Sequence, residues 1–270
     1  MNTTNSKILH FFLTLSNGTN IHYTKIGKGE TNIVMIHGWG MTWKTWEKFM
    51  LQIVGHNKFT LIAIDLIGFG DSDKPPINYS IRDLSSTLFD FIEGLKLNSY
   101  ILMGHSMGVT VCMDAIFNLG LNPESVIFVD SGVRSAHSTS EIISKLHHSE
   151  VLSEVIREIL RTFFLKIGEN DLKAFAEETA KTPISILIKT LKSISMFDFS
   201  AQLPELKVPA LIFYGKYDKN RRLEEANLLK SLIKDSFLAV IDSSAHCPMF
   251  EQTEKFTEYL LRWVEGSFRS

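Results

Sequence analysis

Short apolar segments without polar alternation recur along the chain, at residues 33–36, 59–64, 100–103, 126–129, 210–214 and 237–241. Continuous runs of this kind are typical of strands that are buried on both faces of a parallel sheet. Segments of helical length with one apolar face separate them, at residues 43–54, 81–95, 107–119, 223–233 and 248–264. This alternation of strands with helices predicts an α/β protein with a doubly wound sheet.

The amino-terminal part has a different pattern. Residues 8–15 and 20–26 are strand-like and flank Asn17 and Gly18. An Asn-Gly pair readily takes the positive φ angles of a tight hairpin turn. We therefore expect the chain to open with an antiparallel hairpin.

The alternation also lapses between residues 134 and 200, where helix-period segments follow one another with no convincing strand among them. Apolar positions such as Leu146, Ile156 and Leu191 are too numerous there for outward faces alone. We interpret residues 134–200 as an inserted helical subdomain. Its apolar residues form its own core or cover a pocket.

Composition narrows the class of protein. The chain has 270 residues, of which 44% are hydrophobic and 21% charged, as in a globular protein with a full core. The net charge is -2, and no basic cluster is larger than Arg221-Arg222, so neither nucleic acid nor an anionic membrane is an expected partner. Cys112 and Cys247 are too few for a disulfide framework and lack zinc-site spacing, which favours a reducing compartment.

The sequence contains no apolar run that approaches the roughly 18 to 20 residues needed to cross a bilayer. Residues 8–15 are apolar, but they include His10 and precede no small-residue cleavage site, so we interpret them as a strand and not as a signal peptide. We expect no stable membrane insertion and a cytoplasmic location.

One serine lies in the segment Gly-His-Ser-Met-Gly, residues 104–108, between a predicted strand and a predicted helix. In the G-x-S-x-G pattern the nucleophile occupies a strained turn, and the glycines let strand and helix approach without Cβ clashes. A serine hydroxyl also needs a base that takes its proton and a third group that orients the base. The pattern alone occurs by chance in many chains, so Ser106 is a candidate nucleophile only if these partners exist.

Two residues on later loops are candidate partners. His246 follows the last predicted strand, and Asp218 follows the penultimate one. The chain order Ser106, Asp218, His246 is the nucleophile, acid and base order of α/β-hydrolases. Asp130, after the strand at residues 126–129, is an alternative acid, but we favour Asp218.

Together these features make the chain similar to α/β-hydrolase-fold serine hydrolases with a single helical lid, over nearly its whole length. The signatures are His37-Gly38-Trp39-Gly40, residues 65–72, residues 104–108, and the loops of Asp218 and His246. The resemblance implies the α/β-hydrolase fold, with a mostly parallel eight-stranded sheet and helices on both faces. It assigns residues 1–133 and 201–270 to the core domain and residues 134–200 to the lid.

The site also needs donors for the negative charge that develops on the attacked carbonyl oxygen. The geometry of the serine turn makes the Met107 N–H one donor, and the resemblance implies the Trp39 N–H as the second. His37 is interpreted as a structural loop residue, and His105 as a packing or hydrogen-bonding residue. Asp65 is expected in a tight turn beside the pocket.

We therefore expect a carboxylesterase-like serine hydrolase that forms an acyl-enzyme on esters of small to medium, largely apolar acyl groups. Its partner would be a small-molecule ester-like substrate, with no cofactor and no metal, and the oligomeric state is left open. Hydrolysis of lactones, thioesters or carbon–carbon bonds on the same triad remains an alternative. A second alternative is a small-molecule receptor of the same fold that binds its ligand without catalytic turnover.

Overall fold

The computed structural model describes residues 7–134, 139–148 and 152–266. Within these residues eight strands form one sheet in the order β1-β2-β4-β3-β5-β6-β7-β8. The strands are β1 (Leu9–Thr14), β2 (Asn20–Ile26), β3 (Thr31–Ile36), β4 (Phe59–Ile64), β5 (Ile101–His105), β6 (Ser125–Val129), β7 (Ala210–Gly215) and β8 (Ser236–Ile241).

Strands β3 to β8 pair in parallel, whereas β1 and β2 join the sheet in antiparallel register. All six residues of β4 and of β7 are buried, which explains why their sequences are almost continuously apolar. The predicted α/β fold with an eight-stranded, mostly parallel sheet is confirmed. Because parallel strands end at the same edge, the loops after β3, β5, β7 and β8 are brought together there.

The predicted hairpin is present, but its turn differs in detail from the expectation. Gly18 has a φ of 86°, while Asn17 is not among the residues with positive φ. Asn17 instead accepts a hydrogen bond on Oδ1 from the Thr19 amide at 3.0 Å, and Leu15 and Thr19 close the loop through a backbone hydrogen bond. A side-chain turn at the asparagine thus replaces the left-handed backbone conformation.

Helices connect the parallel strands, and two more follow the last strand among the described residues. They are α1 (Glu47–Ile53), α2 (Ile81–Leu95), α3 (Met107–Leu119), α4 (Thr139–His148), α5 (Leu152–Arg161), α6 (Glu169–Ala180), α7 (Ile184–Ile194), α8 (Leu223–Leu232), α9 (Pro248–Glu251) and α10 (Thr253–Val264). Helix α1 packs against α10, and α2 packs against α3. In the strand order, β4 lies on one side of β3, whereas β6 lies on the opposite side of β5. The crossovers through α1 and α3 therefore run in opposite directions along the sheet. Because both crossovers are right-handed, the two helices lie on opposite faces.

Two predicted helices are interrupted in the structure. The segment predicted at residues 43–54 begins with a 3₁₀ turn, Trp43–Trp46, before α1. The segment predicted at residues 248–264 is divided into α9 and α10 at Gln252, whose φ of -132° and ψ of 52° are not helical. Periodicity identified the buried face in both cases but carries no signal for a single non-helical residue.

Helices α4 to α7 lie between β6 and β7, in the segment that was predicted as an insertion. Parts of that segment, residues 135–138 and 149–151, lie outside the described residues. An isolated bridge pairs Arg134 with Asp198, near the two ends of that segment. Within the described part of the chain, no helix is long and apolar enough to span a membrane.

Candidate active site

Ser106 occupies the junction between β5 and α3. Its φ of 50° and ψ of -113° are unusual for a residue with a side chain, and such strain is characteristic of functional turns. The flanking glycines permit this junction: a Cβ on Gly104 would lie 2.6 Å from the Val109 nitrogen, and one on Gly108 would lie 2.3 Å from the Ile36 oxygen. The tight strand-to-helix turn expected around the serine is therefore present.

His246 and Asp218 form a buried pair on the loops after β8 and β7. The His246 Nδ1 lies 2.7 Å from the Asp218 Oδ2, and the two side chains are 5% and 0% exposed. The other carboxylate oxygen, Oδ1, accepts hydrogen bonds from the amides of Asn220 at 2.7 Å and Arg221 at 3.2 Å. The loop itself thus fixes the carboxylate, and the carboxylate fixes the orientation of the imidazole.

Ser106 and His246 line the same cavity. No hydrogen bond joins the serine hydroxyl to the imidazole among the described residues, and His246 Nε2 has no partner there. Hydrogen bonds between catalytic groups are often long in the absence of substrate and shorten in the complex. The structure therefore brings the three predicted residues to one site, with the contact between acid and base already made.

The cavity has a volume of about 80 Å³ and is mostly apolar. Its lining residues come from the loops at the sheet edge and from the segment between β6 and β7: Trp39, His105, Ser106, Met107, Ile142, Phe163, Leu191, Ile194, Asn220, Arg221 and His246. Most of these groups could not be identified from the sequence, because they meet only through long-range packing.

Trp39 and Met107, whose amides are predicted as oxyanion donors, both line the cavity. Neither backbone N–H donates a hydrogen bond within the ranges that the structure describes. The Trp39 ring is held separately, through a hydrogen bond from Nε1 to the Leu187 carbonyl at 2.9 Å. Both amides are thus available to an oxygen bound in the cavity.

His246 is held by two further residues that sequence reasoning did not assign to it. His105 Nε2 donates to the His246 carbonyl at 2.7 Å, while the His246 amide donates to the Phe163 carbonyl at 3.0 Å. Burial, together with the charge of a protonated His246, holds the pKa of His105 well below its usual range. His105 is therefore neutral and keeps Nε2 protonated, in agreement with its expected hydrogen-bonding role.

Asp130, the alternative acid, makes no hydrogen bond with the imidazole. Its Oδ1 accepts a hydrogen bond from the Gly215 amide at 2.9 Å, and Oδ2 has no partner among the described residues. Burial raises the pKa of Asp130 well above its usual range, and the neighbouring Asp218 carboxylate adds to the effect. Asp130 thus keeps its proton to a higher pH than an ordinary aspartic acid and is poorly suited to stabilise an imidazolium.

His37 and Asp65 have the hydrogen bonds of structural residues. His37 Nδ1 donates to the Gly38 carbonyl at 2.8 Å, and its Nε2 accepts from the Leu66 amide at 3.1 Å. Asp65 accepts hydrogen bonds from the amides of Trp43 and Asp71 and lies 2.7 Å from His22 Nδ1. These contacts hold the loop after β4 in the tight turn that was expected there.

Among the residues that the structure describes, two groups of side chains could offer ligands to a metal ion, namely His22 with Asp65 and Asp71, and Asp130 with Asp218 and His246. In each group the potential ligand atoms lie within 4.8 Å of one another. Amide and imidazole hydrogen bonds already engage Asp65 and Asp218, so neither carboxylate needs an ion for its charge to be balanced.

Comparison with known proteins places these features in context. A family model described as "Alpha/beta hydrolase family" matches residues 33–258. A pimeloyl-[acyl-carrier protein] methyl ester esterase from Proteus mirabilis is 24% identical over 261 residues, which cover 91% of this chain and 97% of that protein.

Solved structures show the same architecture. An esterase from Exiguobacterium antarcticum superposes with a TM-score of 0.86 at 24% identity, covering 95% of this chain and 100% of the other. An enol-lactonase from Burkholderia xenovorans gives a TM-score of 0.84 at 19% identity, covering 94% of this chain and 100% of the other. At these identities the likeness establishes the fold.

Proposed function

The chain belongs to the alpha/beta hydrolase family, and from this premise we propose that it is a serine hydrolase that cleaves carboxylic esters through an acyl-enzyme. One observation carries the proposal: a serine in a strained turn lines a single cavity together with the histidine of a buried histidine–aspartate pair. Fold alone does not determine chemistry, whereas this juxtaposition supplies a nucleophile, a base and an orienting carboxylate.

In the proposed reaction Ser106 Oγ attacks the ester carbonyl while His246 Nε2 takes the hydroxyl proton. Asp218 accepts the hydrogen bond from Nδ1 and stabilises the imidazolium that forms. The imidazolium then gives its proton to the leaving alkoxide, which departs as an alcohol. A water molecule, deprotonated by His246, next attacks the acyl-enzyme, so that the carboxylic acid is released and Ser106 regains its proton.

The amides of Trp39 and Met107 are the proposed donors to the oxyanion of both tetrahedral intermediates. Met107 is the first residue of α3, so its N–H also lies at the positive end of the helix dipole. A preorganised donor of this kind typically contributes about 3 kcal/mol of transition-state stabilisation.

The size of the cavity favours short acyl groups. Its volume of about 80 Å³ is smaller than the roughly 150 Å³ of an engineered cavity that admits benzene. Apolar side chains such as Ile142, Leu191 and Ile194 would contact the methylene groups of the substrate. We propose that the site takes small to medium, largely apolar acyl chains.

We also propose that residues 134–200 act as a lid on a core domain formed by residues 1–133 and 201–270. Ile142, Phe163, Leu191 and Ile194 belong to this segment and contribute to the wall of the cavity. The Phe163 carbonyl accepts the His246 amide, so the segment also contacts the proposed base directly. A lid of this kind excludes water from the acyl pocket.

Turnover on p-nitrophenyl butyrate tests the proposal. We expect many cycles per enzyme molecule, with loss of activity after modification of Ser106. A single stoichiometric release of p-nitrophenol would instead support a receptor of the same fold. A panel of lactones, thioesters and diketones, assayed beside esters of equal size, decides among the other reactions that this triad could perform.

A further inference from the structure

Arg221 contributes a buried positive charge to the wall of the proposed catalytic cavity. The residue is only 6% exposed, and it lines the same cavity as Ser106 and His246. It directly follows Asn220 in the loop whose amides hold Asp218, so its position is coupled to that of the acid. A guanidinium keeps its charge at every physiological pH.

The hydrogen bonds of this guanidinium are only partly satisfied. Nη1 donates to the Arg134 carbonyl at 2.9 Å and to the Glu225 Oε2 at 3.0 Å. Nε and Nη2 have no acceptor within the described residues. Neither Nε nor Nη2 is among the fully buried polar atoms that lack a partner in the described residues, so both donors can be reached by water or by a bound group.

The chain makes specific room for this cation. A Cβ on Gly132 would lie 2.0 Å from the Glu225 Oε2 and 2.7 Å from the Arg221 Nη1. A side chain at this position would displace the ion pair, so glycine leaves room for it where the loop after β6 passes. Glu225 accepts only from Nη1 and is itself about one-third exposed, so it balances the guanidinium charge from one side. The edge of the guanidinium that carries Nε and Nη2 is left without an acceptor from Glu225.

We propose that the Nε and Nη2 edge of Arg221 binds a carboxylate of the substrate, and that preferred substrates are monoesters of short dicarboxylic acids. The inference rests on the proposed esterase function and revises its substrate class, because it adds a terminal carboxylate to an otherwise apolar acyl chain. The apolar wall contacts the methylene groups, and the guanidinium binds the terminal carboxylate through two parallel hydrogen bonds. The ester end then lies at Ser106.

The test compares monomethyl glutarate with methyl pentanoate, a neutral ester with the same number of acyl carbons. We expect the wild-type kcat/KM to favour monomethyl glutarate by about tenfold or more, as a charge-assisted hydrogen bond to a buried group allows. Arg221→Gln should remove most of this preference. Arg222→Gln is the matched control, because it removes the same charge from an exposed neighbouring residue and should retain the preference.

Glu225→Gln separates recognition from a structural role of the ion pair. If Arg221 binds the substrate carboxylate, removal of the competing Glu225 carboxylate strengthens the preference for the charged ester. A purely structural pair predicts instead that Arg221→Gln and Glu225→Gln impair both esters alike and leave the preference unchanged. That result would overturn the inference.

Binding measured by calorimetry completes the test without turnover. Wild-type protein should bind glutarate more tightly than pentanoate, and Arg221→Gln should bind the two acids alike. Equal affinities in the wild type would overturn the inference even if esters are hydrolysed. Selective glutarate binding without hydrolysis of any ester would support the carboxylate site and contradict the proposed function.

Discussion

The described part of the chain contains two buried histidine–aspartate pairs with the same contact distance. His246 Nδ1 lies 2.7 Å from Asp218, and His22 Nδ1 lies 2.7 Å from Asp65. Both pairs are almost completely buried. Distance and burial alone therefore do not distinguish a site of chemistry from a structural contact.

The two pairs differ in the hydrogen-bond partner of the second imidazole nitrogen, Nε2. The Nε2 of His22 lies 3.0 Å from the Nδ1 of His10, in a stack of rings over strands β1 and β2. The Nε2 of His246 has no partner in the described chain, and the residue lines a cavity together with Ser106. The comparison teaches that a free nitrogen, a cavity and a strained nucleophile turn a hydrogen-bonded pair into a candidate catalytic site.

The largest difference in activity is expected between substitutions of the two serines that accompany these pairs, Ser106 beside His246 and Ser72 beside His22. Ser106→Ala should lower kcat/KM for p-nitrophenyl butyrate by about 10³-fold or more, because the nucleophile is lost. Ser72 is the matched control: its Oγ donates to the Asp65 carbonyl and accepts from the His22 amide. Ser72→Ala should lower stability and retain activity in the folded protein. Equal activities of the two variants would remove Ser106 from the mechanism.

The next effect is expected for the two carboxylates. Asp218→Asn should lower kcat by about 10³- to 10⁴-fold, since the imidazole loses its orientation and its counter-charge. Asp65→Asn should instead lower the free energy of unfolding by about 3 kcal/mol, because a hydrogen-bonded buried carboxylate is lost. Denaturant titration and steady-state kinetics on both variants check that Asp218→Asn mainly lowers kcat and that Asp65→Asn mainly lowers the free energy of unfolding. A large loss of kcat in well-folded Asp65→Asn would contradict it.

Low pH should abolish the contribution of Asp65 to the free energy of unfolding. Burial tends to raise the pKa of Asp65, but the hydrogen bond from His22, the charge of His37 and two backbone amides outweigh it and hold the pKa below 3.8. The unfolded state therefore binds the proton more readily, so the stabilisation is present above about pH 3.8 and is lost as the pH falls through the folded value. The gap in unfolding free energy between wild type and Asp65→Asn should narrow in that range.

A smaller effect of opposite sign is expected for Asp130. Burial and Asp218 raise its pKa well above 3.8, so the folded state binds the proton more tightly than the unfolded state. The stability from protonated Asp130 is complete below about pH 3.8 and is lost as the pH rises through the folded value. Relative to wild type, Asp130→Asn should gain stability on going from acidic to neutral pH. It should cost less than tenfold in kcat/KM, whereas a loss as large as that of Asp218→Asn would move the acid role to Asp130.

Much of the fold could be predicted because local patterns and the global structure agree. The bounds of β4, α2 and α3 match the predicted segments, since an almost continuous apolar run, the Ser80 capping box and the strand-to-helix turn at Ser106 are local signals. The break at Gln252 has no such signal. It depends on how the residues around it pack, which periodicity does not encode.

The candidate site divides in the same way. The turn at Ser106 and the chain order of Asp218 and His246 could be predicted from the sequence, because each of the three residues follows a recognisable strand. The Asx spacing from Asp218 to Asn220 could have indicated the turn that fixes the carboxylate. The contacts of His105 and Phe163 with His246, and the approach of Arg221 to the cavity, join residues distant in the chain and could not be predicted from one sequence.

The identity of the nucleophile can be tested most directly by covalent labelling. Diethyl p-nitrophenyl phosphate should release one p-nitrophenol per enzyme molecule, abolish ester hydrolysis and leave a diethylphosphoryl group on the peptide that contains Ser106, as measured by mass spectrometry. His246→Gln should label far more slowly. A label on another residue that accounts for the loss of activity, or ester hydrolysis that persists after complete labelling of Ser106, would contradict the proposed mechanism.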